Sequence, residues 1–185
     1  MVSVNALALF LMLMMFIGCG NTLNDLNPSG SDKRPAVQSG TDGPAVGQNA
    51  PDFTISDTLG TGVTLSSVLT GTAVDGVVLY FTMWCPTCDI HMSNMRSTEI
   101  PNFPNVRFFA IDYVSGSVAE ARSEELANGY AGSGFTVLAD THQSVLGLYQ
   151  ATMGSTIVID RSGVVRMNED YKDGVRLQTV LSGLP

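Results

Sequence analysis

The chain has 185 residues, of which 44% are hydrophobic and 14% charged, with three cysteines and a formal net charge of −8 at pH 7. This composition is typical of a globular protein with one folded domain, and it excludes a collagen, a coiled coil and a small disulfide-rich protein. The nine Lys and Arg residues are scattered, and only Lys33 and Arg34 are adjacent, so the basic patches that phosphate binding needs are lacking and we expect no nucleic-acid partner.

The chain begins with an apolar stretch from Val4 to Ile17. Its roughly 14 residues are too few for a membrane span, which needs about 20, but they fit the apolar region of a secretory signal. We therefore predict a signal peptide over residues 1–18 and export to the periplasm or cell surface. The segment Phe16-Ile17-Gly18-Cys19 resembles the lipobox of bacterial lipoproteins, which implies that Cys19 is lipidated and anchors the protein to a membrane. A plain signal peptide with an incidental cysteine is the alternative.

Residues 19–45 have a different composition. They are rich in Asn, Ser, Gly, Pro and Asp, and their few apolar residues follow no period of a helix or a strand. Such a segment cannot bury a core of its own. We predict a flexible linker that holds a folded domain, residues 46–185, away from the membrane surface.

From residue 46 onward, segments typical of strands alternate with segments typical of helices. The first central strand is predicted at 77–81, where five apolar residues in a row suit a strand that is buried on both faces. The further elements are a helix at 86–97, a strand at 106–111, a helix at 117–128, a short strand at 137–138, a helix at 141–149, strands at 156–160 and 164–167, and a helix at 173–181. Ser117 with Glu120 predicts the start of the second helix, and Gly129 its end. This order predicts an α/β sandwich with a mixed sheet between helices.

The segment Trp84-Cys85-Pro86-Thr87-Cys88 lies between the first strand and the first helix. A thiol at a helix N-terminus meets unpaired N–H groups and the positive end of the helix dipole, which stabilise the thiolate. We therefore predict that Cys85 is the nucleophile and that Cys88, one turn later, resolves the mixed disulfide. The expected partners are protein thiols or disulfides and an unidentified redox partner, and the redox-active disulfide itself replaces any cofactor.

A metal site is an alternative use of the two cysteines. Zinc would need two further ligands at comparable spacing, and the chain offers only Cys19, His91 and His142. A copper site could use the two cysteines and a histidine, but only the two sulfurs are closely spaced. We therefore predict no metal.

The Trp-Cys-x-x-Cys motif after such a strand resembles the thioredoxin superfamily. Further segments are similar to its redoxin branch, which contains TlpA-like exported thiol–disulfide oxidoreductases and the AhpC/TSA-like peroxiredoxins. They are residues 46–53, 135–140 and 157–160, with Gly163. The resemblance implies a thioredoxin-like three-layer sandwich, in agreement with the order of elements.

The two subfamilies imply different functions. Thr82, three residues before Cys85, matches the peroxiredoxin Thr that helps to bind peroxide, so a peroxidase with Cys85 as the peroxidatic cysteine is an alternative. However, Val78 replaces the usual Pro of that signature, and Gly154 stands where its Arg is expected. Because Cys88 serves disulfide exchange, we favour the oxidoreductase. A third interpretation is a non-enzymatic thioredoxin-like scaffold whose disulfide is only structural.

The resemblance also implies supporting roles for the residues beside the cysteines. Trp84 would shield the disulfide or close the core. Pro86 and Thr87, which lie between the cysteines, would tune the redox potential through the stability of the thiolate. With Pro86 directly after the nucleophile, as in glutaredoxins and DsbA-like oxidants, we expect a less reducing couple than that of thioredoxin.

Two more positions follow from the same resemblance. The loop that normally presents a cis-proline to the cysteines falls at Met153 and Gly154, with Gly154 in the proline position, so we expect a trans peptide bond. His91 occupies the acidic position of the TlpA-like pattern. It either performs acid–base work on Cys88 or is an exposed helical histidine.

Overall fold

The computed structural model describes residues 36–185. The predicted signal peptide, Cys19 and most of the predicted linker lie outside the described residues. Among residues 36–185, every helix is too short or too polar to cross a lipid bilayer.

The described residues form seven strands and six helices. The strands are β1 (Thr54–Asp57), β2 (Gly62–Thr64), β3 (Gly76–Thr82), β4 (Val106–Asp112), β5 (Phe135–Ala139), β6 (Ser155–Asp160) and β7 (Val165–Asp170). The helices are α1 (Leu65–Leu69), α2 (Pro86–Asn94), α3 (Ile100–Asn102), α4 (Val118–Ala127), α5 (Ser144–Tyr149) and α6 (Val175–Ser182). A π-helical turn, Met95–Glu99, joins α2 to α3.

The strands form one mixed sheet in the order β2-β1-β5-β4-β3-β6-β7. β3, β4 and β5 are parallel neighbours, whereas the remaining pairs are antiparallel. The parallel register sets Thr82 opposite Asp112, so the carboxyl ends of β3 and β4 meet at one edge of the sheet. This is the edge where ligands bind in open α/β sheets.

Each face of the sheet has its own hydrophobic core. Val78 and Tyr80 of β3 point to the core that α2 and α6 cover. Val77, Leu79 and Phe81 point to the opposite core, which α1 and α5 cover. All seven residues of β3 are buried, which explains its continuous apolar sequence. The predicted three-layer α/β sandwich with a mixed sheet is therefore confirmed.

Several predicted boundaries differ from the structure. β1, β2 and α1 were missed because the two strands are short, largely polar and only partly buried. The strand predicted at 137–138 is longer, and the helix predicted at 141–149 begins only at Ser144. The reason for the late start is Asp140, whose carboxylate accepts hydrogen bonds from the backbone N–H groups of Ser144 and Leu146 and shapes a turn before the helix.

The folded domain begins before the predicted boundary at residue 46. The Gly40 N–H donates to the carbonyl of Gly47, and the Asn49 N–H donates to the carbonyl of Thr41. The side-chain amide of Asn168 in β7 also donates to the Pro44 carbonyl over 3.0 Å. The last residues of the predicted linker are thus hydrogen-bonded to the domain, which corrects the predicted boundary. Their polar composition gave no indication of these bonds.

Candidate active site

The turn between β3 and α2 is fixed by a residue with a left-handed backbone. Trp84 has φ +57°, a conformation that non-glycine residues rarely adopt. Its backbone N–H donates to Thr82 Oγ1 over 3.1 Å, and Thr82 itself is completely buried. The hydroxyl that the resemblance assigned to peroxide binding therefore stabilises this turn.

Cys85 is the N-cap residue of α2, and Pro86 is the first residue of the helix. Cys85 and Cys88 form a disulfide, and Cys85 Sγ also accepts a hydrogen bond from the Cys88 N–H over 3.1 Å. Cys88 is fully buried, whereas Cys85 is partly exposed. Of the two sulfurs, Cys85 Sγ is consequently the one that a partner can reach, and a helix N–H points at it. Pro86 and Thr87, which separate the two cysteines in the sequence, are both exposed.

Asp112, at the end of β4, connects Trp84 to the neighbouring loop. Its Oδ2 accepts from Trp84 Nε1 over 2.8 Å and from Ser115 Oγ over 2.6 Å. Its Oδ1 accepts from the backbone N–H groups of Val114 and Ser115, both over 3.0 Å. Four hydrogen bonds satisfy this completely buried carboxylate, as a buried polar group requires. Asp112 thereby fixes the indole ring that precedes Cys85.

Tyr130 packs beside Trp84, with their ring centroids 6.3 Å apart. The Tyr130 hydroxyl donates to Asp89 Oδ1 over 2.6 Å, and the Arg96 guanidinium lies 5.2 Å from the Tyr130 ring centroid. Burial, reinforced by the hydrogen bond to Asp89, raises the pKa of Tyr130 to about 12. The phenol therefore stays protonated. It links Asp89, an exposed residue of α2, to the ring of Trp84.

His91 lies on α2, one turn after Cys88, and it is partly buried rather than an exposed helical histidine. Its Nδ1 is 3.0 Å from the Tyr80 hydroxyl, and its ring packs on Tyr171 with centroids 4.6 Å apart. Burial lowers the pKa of His91 and raises that of Tyr80 above its ordinary value. The protonated Tyr80 hydroxyl can either donate to Nδ1 or accept from Nδ1–H, and the tautomer of His91 decides which of the two occurs.

The loop that carries Met153 and Gly154 reaches the same region. A Cβ on Gly154 would lie 3.9 Å from the His91 ring. Gly154 has φ +85°, its N–H donates to the Phe81 carbonyl, and its carbonyl accepts from the Tyr171 N–H. A proline has neither that φ nor that N–H, which explains why glycine stands here. Peptide bonds are trans throughout the described residues, and Met153 is exposed.

The structure thus assembles the sequence-predicted residues in two neighbouring groups. Thr82, Trp84 and the two cysteines share the β3–α2 turn, while His91 and Gly154 meet on the other side of α2. Within residues 36–185, no three His, Cys, Asp or Glu side chains converge as a metal site would require.

Sequence reasoning missed Asp112, Tyr80 and Tyr130. One signal for Asp112 was available in the sequence. Its carboxylate comes directly after the apolar residues of a strand that is parallel to the strand before the cysteines. The carboxyl ends of parallel strands meet at the same edge of the sheet, so Asp112 must lie near the cysteines. Tyr80 was predicted only as part of the apolar strand at 77–81 and Tyr130 was not singled out, because their hydroxyl partners lie too far along the chain for a local pattern to indicate them.

Three of the solved structures with the same fold are a disulfide oxidoreductase, a thioredoxin-like protein and a peroxidoxin. A secreted disulfide oxidoreductase from Mycobacterium tuberculosis, homologous to E. coli DsbE, is 20% identical with a TM-score of 0.54, covering 71% of this chain and 96% of that one. A thioredoxin-like protein from Aeropyrum pernix is 16% identical with a TM-score of 0.57 over 72% and 89%. Peroxidoxin BcpB from M. tuberculosis is 21% identical with a TM-score of 0.55 over 74% and 94%. At these identities, the likeness establishes a thioredoxin-like fold.

A search of curated proteins found no match. A comparison with family models gave a match over residues 46–168 to the AhpC/TSA family. The matched segment is more than half of the chain and includes the β3–α2 turn with both cysteines. The predicted redoxin resemblance is therefore confirmed, and the chain belongs to the AhpC/TSA family.

Proposed function

We propose that this protein is a thiol–disulfide oxidoreductase in which Cys85 exchanges with protein disulfides and Cys88 resolves the intermediate. The observation that carries this proposal is the unequal environment of the two bonded sulfurs. Cys85, at the N-cap of α2, is partly exposed and receives a helix N–H, whereas Cys88 is fully buried. An accessible sulfur with a stabilised thiolate, backed by a buried second thiol, is the arrangement that exchange chemistry needs.

In the reducing direction, the Cys85 thiolate attacks one sulfur of a substrate disulfide. The substrate S–S bond breaks, its other sulfur leaves as a thiolate, and a mixed disulfide joins Cys85 to the substrate. The Cys88 thiolate then attacks Cys85 Sγ, which forms the Cys85–Cys88 bond and releases the second substrate sulfur. Two electrons pass to the substrate; oxidation is the reverse, beginning with a substrate thiolate at Cys85. The electron donor or acceptor sets the net direction.

His91 is proposed to exchange the proton of Cys88. The buried Cys88 must lose its proton before it can attack, and His91 is one helical turn away on α2. Because burial lowers the pKa of His91, its imidazole is neutral at pH 7 and can accept a proton. In the tautomer whose Nδ1–H donates to the Tyr80 hydroxyl, Nε2 carries no proton and is the atom that accepts one.

The proposed location is outside the cytoplasm, with a lipid at Cys19 as the membrane anchor. The apolar segment and lipobox-like sequence at the N-terminus support this proposal, and the M. tuberculosis neighbour is described as secreted. Mass spectrometry of the membrane fraction should find a diacylglyceryl group on residue 19, and Cys19→Ser should abolish it. An unmodified Cys19 in the mature protein would contradict the anchor.

The test of function is a redox titration against glutathione, with Trp84 fluorescence as the readout because the chain has one tryptophan. The full chain carries Cys19→Ser so that only the two motif thiols respond. We expect a reversible two-electron transition and fast alkylation of Cys85 at neutral pH, both lost in Cys85→Ser. Motif thiols that neither titrate nor react would leave a scaffold. Rapid consumption of added peroxide through Cys85 would instead support a peroxidase.

A further inference from the structure

An open groove of about 560 Å³ lies directly beside Trp84. It is bounded by the turn before α2, by the loop after β4 and by the beginning of α4. Besides Ser115 and Gly116, the residues that line it are the apolar Met83, Trp84 and Val114 and the acidic Glu120 and Glu124. Since Met83 and Trp84 immediately precede Cys85, a segment bound in this groove would carry its own sulfur to the reactive cysteine.

The apolar part of the groove is exposed although the domain has two well-filled cores. The exposed fraction is 44% for Met83 and 47% for Val114. Large apolar side chains grouped beside a reactive sulfur indicate an interaction surface. Methionine in particular adapts its shape to varied apolar partners. The groove can therefore take an apolar side chain that lies next to a substrate cysteine.

The acidic wall is formed by Glu120 and Glu124, which are one turn apart on α4 and both exposed. The salt bridges found among residues 36–185 join other residues, and Glu124 Oε2 contacts only the amide of Asn128, at 3.3 Å. Like charges at this spacing repel each other on a helix. A cation between them would relieve that repulsion.

The groove is formed before any partner arrives. Asp112 binds Trp84 on one side and the backbone and hydroxyl of Ser115 on the other. One buried carboxylate therefore fixes the turn before α2 relative to the loop after β4. A site that is already formed loses little conformational freedom on binding, which favours affinity.

We propose that this groove selects substrate segments in which an apolar residue beside the reacting cysteine is followed by Lys or Arg. The proposal rests on the oxidoreductase function and names the substrate class of the same site. The apolar residue packs on Met83 and Val114, and the basic residue lies between Glu120 and Glu124. Like the two glutamates, the net charge of −8 attracts basic segments, and it speeds their encounter with the groove.

The test uses two blocked hexapeptides with Leu beside a central Ser, which replaces Cys, and either two Lys or two Glu residues after it. Binding to the full chain is measured by fluorescence anisotropy of a terminal label. We expect the Lys peptide to bind about three- to tenfold more tightly than the Glu peptide, since exposed charge pairs are individually weak. The difference should shrink in about 0.5 M salt because screening weakens exposed charges.

Matched variants separate the groove from the overall charge. Glu120→Gln with Glu124→Gln should bring the two affinities close to each other. Asp75→Asn removes one charge before β3, at the opposite end of that strand from Cys85, and should lower the ratio less than Glu120→Gln alone, which also removes one charge. Equal affinities in the unmodified chain, or a ratio that survives Glu120→Gln with Glu124→Gln, would overturn the proposal.

A second measurement keeps this proposal distinct from the proposed function. Hydroxyethyl disulfide is small and uncharged, so its exchange with Cys85 does not depend on the groove. A chain that exchanges with it but binds both peptides equally would lose only the basic-segment preference. A chain that prefers the Lys peptide but never exchanges would lose the oxidoreductase function, while the binding preference of the groove would be supported.

Discussion

At the scale of single residues, Trp84 depends on two side chains that have no redox chemistry of their own. Its left-handed backbone is unfavourable for a residue with a Cβ. Thr82 compensates through the Trp84 backbone N–H, and Asp112 does so through the indole N–H. Strain that neighbouring groups compensate in this way is common at functional sites. Here it directs the chain so that Cys85 becomes the N-cap of α2.

Asp112→Asn tests this dependence. An amide group replaces one acceptor oxygen by a donor, which must then face either Trp84 Nε1 or the N–H groups of the following loop. We expect a loss of about 1–3 kcal/mol of unfolding free energy, a red shift of Trp84 fluorescence and slower alkylation of reduced Cys85. The measurements are urea unfolding, emission spectra and alkylation rates.

Asp140→Asn is the matched control. Asp140 is also completely buried at the end of a strand, but it binds the start of α5 instead of Trp84. It should destabilise the domain without changing the emission or the alkylation rate. If Asp112→Asn changed neither property, packing against Tyr130 would be sufficient to position Trp84.

Gly154→Pro tests why the proline of related proteins is absent here. Proline cannot adopt φ +85°, and it lacks the N–H that binds the Phe81 carbonyl over 2.9 Å. We expect a destabilisation of about 3 kcal/mol or more, measured by urea unfolding. Gly154→Ala keeps the N–H, and its Cβ would meet His91 only at an ordinary 3.9 Å, so it should cost about 1–2 kcal/mol. A proline variant as stable as the parent chain would contradict this account of the loop.

At the scale of elements, the helix after the cysteines does not continue regularly. The sequence predicted one helix over 86–97, but a π-helical turn at Met95–Glu99 interrupts it. Glu99, the last residue of this turn, is buried and only 2% exposed. Glu99 Oε2 has no hydrogen-bond partner among the described residues. A local pattern could not indicate this, since an acidic residue near a helix end is normally assigned to the surface.

Glu99→Gln is expected to stabilise the domain at pH 7. Burial raises the pKa of Glu99 above its ordinary value of 4.5. Below pH 4.5 the carboxyl is protonated in both the folded and the unfolded state and costs nothing. As the pH rises, the unfolded state ionises first, so folding stability is lost progressively until the folded-state pKa is passed. The gain from Gln should be about 1–2 kcal/mol at pH 7 and should vanish near pH 4.

Urea unfolding at the two pH values provides the measurement. Glu125→Gln is the control, because Glu125 is also buried but is paired with Arg122 over 2.6 Å and accepts from Thr58. That variant should lose stability at pH 7. A Glu99→Gln chain with the same stability advantage at both pH values would show that ionisation of Glu99 is not the cause.

At the scale of the whole molecule, the sequence was sufficient wherever one short segment determines its own structure. The all-apolar β3, the Cys-Pro helix start and the Ser117 cap with Gly129 at the end of α4 were all predicted, and the structure confirms them. What could not be predicted depends on distant segments. These features are the bond from Trp84 to Asp112, the polar strands β1 and β2 on one side of the sheet, and the docking of residues 40–49 on β7. None of these leaves an apolar period in its own segment.

The disulfide is also confined to one short segment of the chain, and this determines what its reduction does to the molecule. The Cys85–Cys88 bond closes a loop of only four residues, so it contributes about 2 kcal/mol to stability in the chain-entropy account. The two cores on either side of the sheet do not depend on it. We therefore expect the reduced domain to remain folded, with Tm lower by about 4–8 °C, when thermal unfolding is followed by circular dichroism with and without reductant. Cys88→Ser should melt like the reduced chain in both conditions. A domain that unfolds on reduction would mean that the disulfide is structural, because an oxidoreductase must pass through its dithiol form in every cycle.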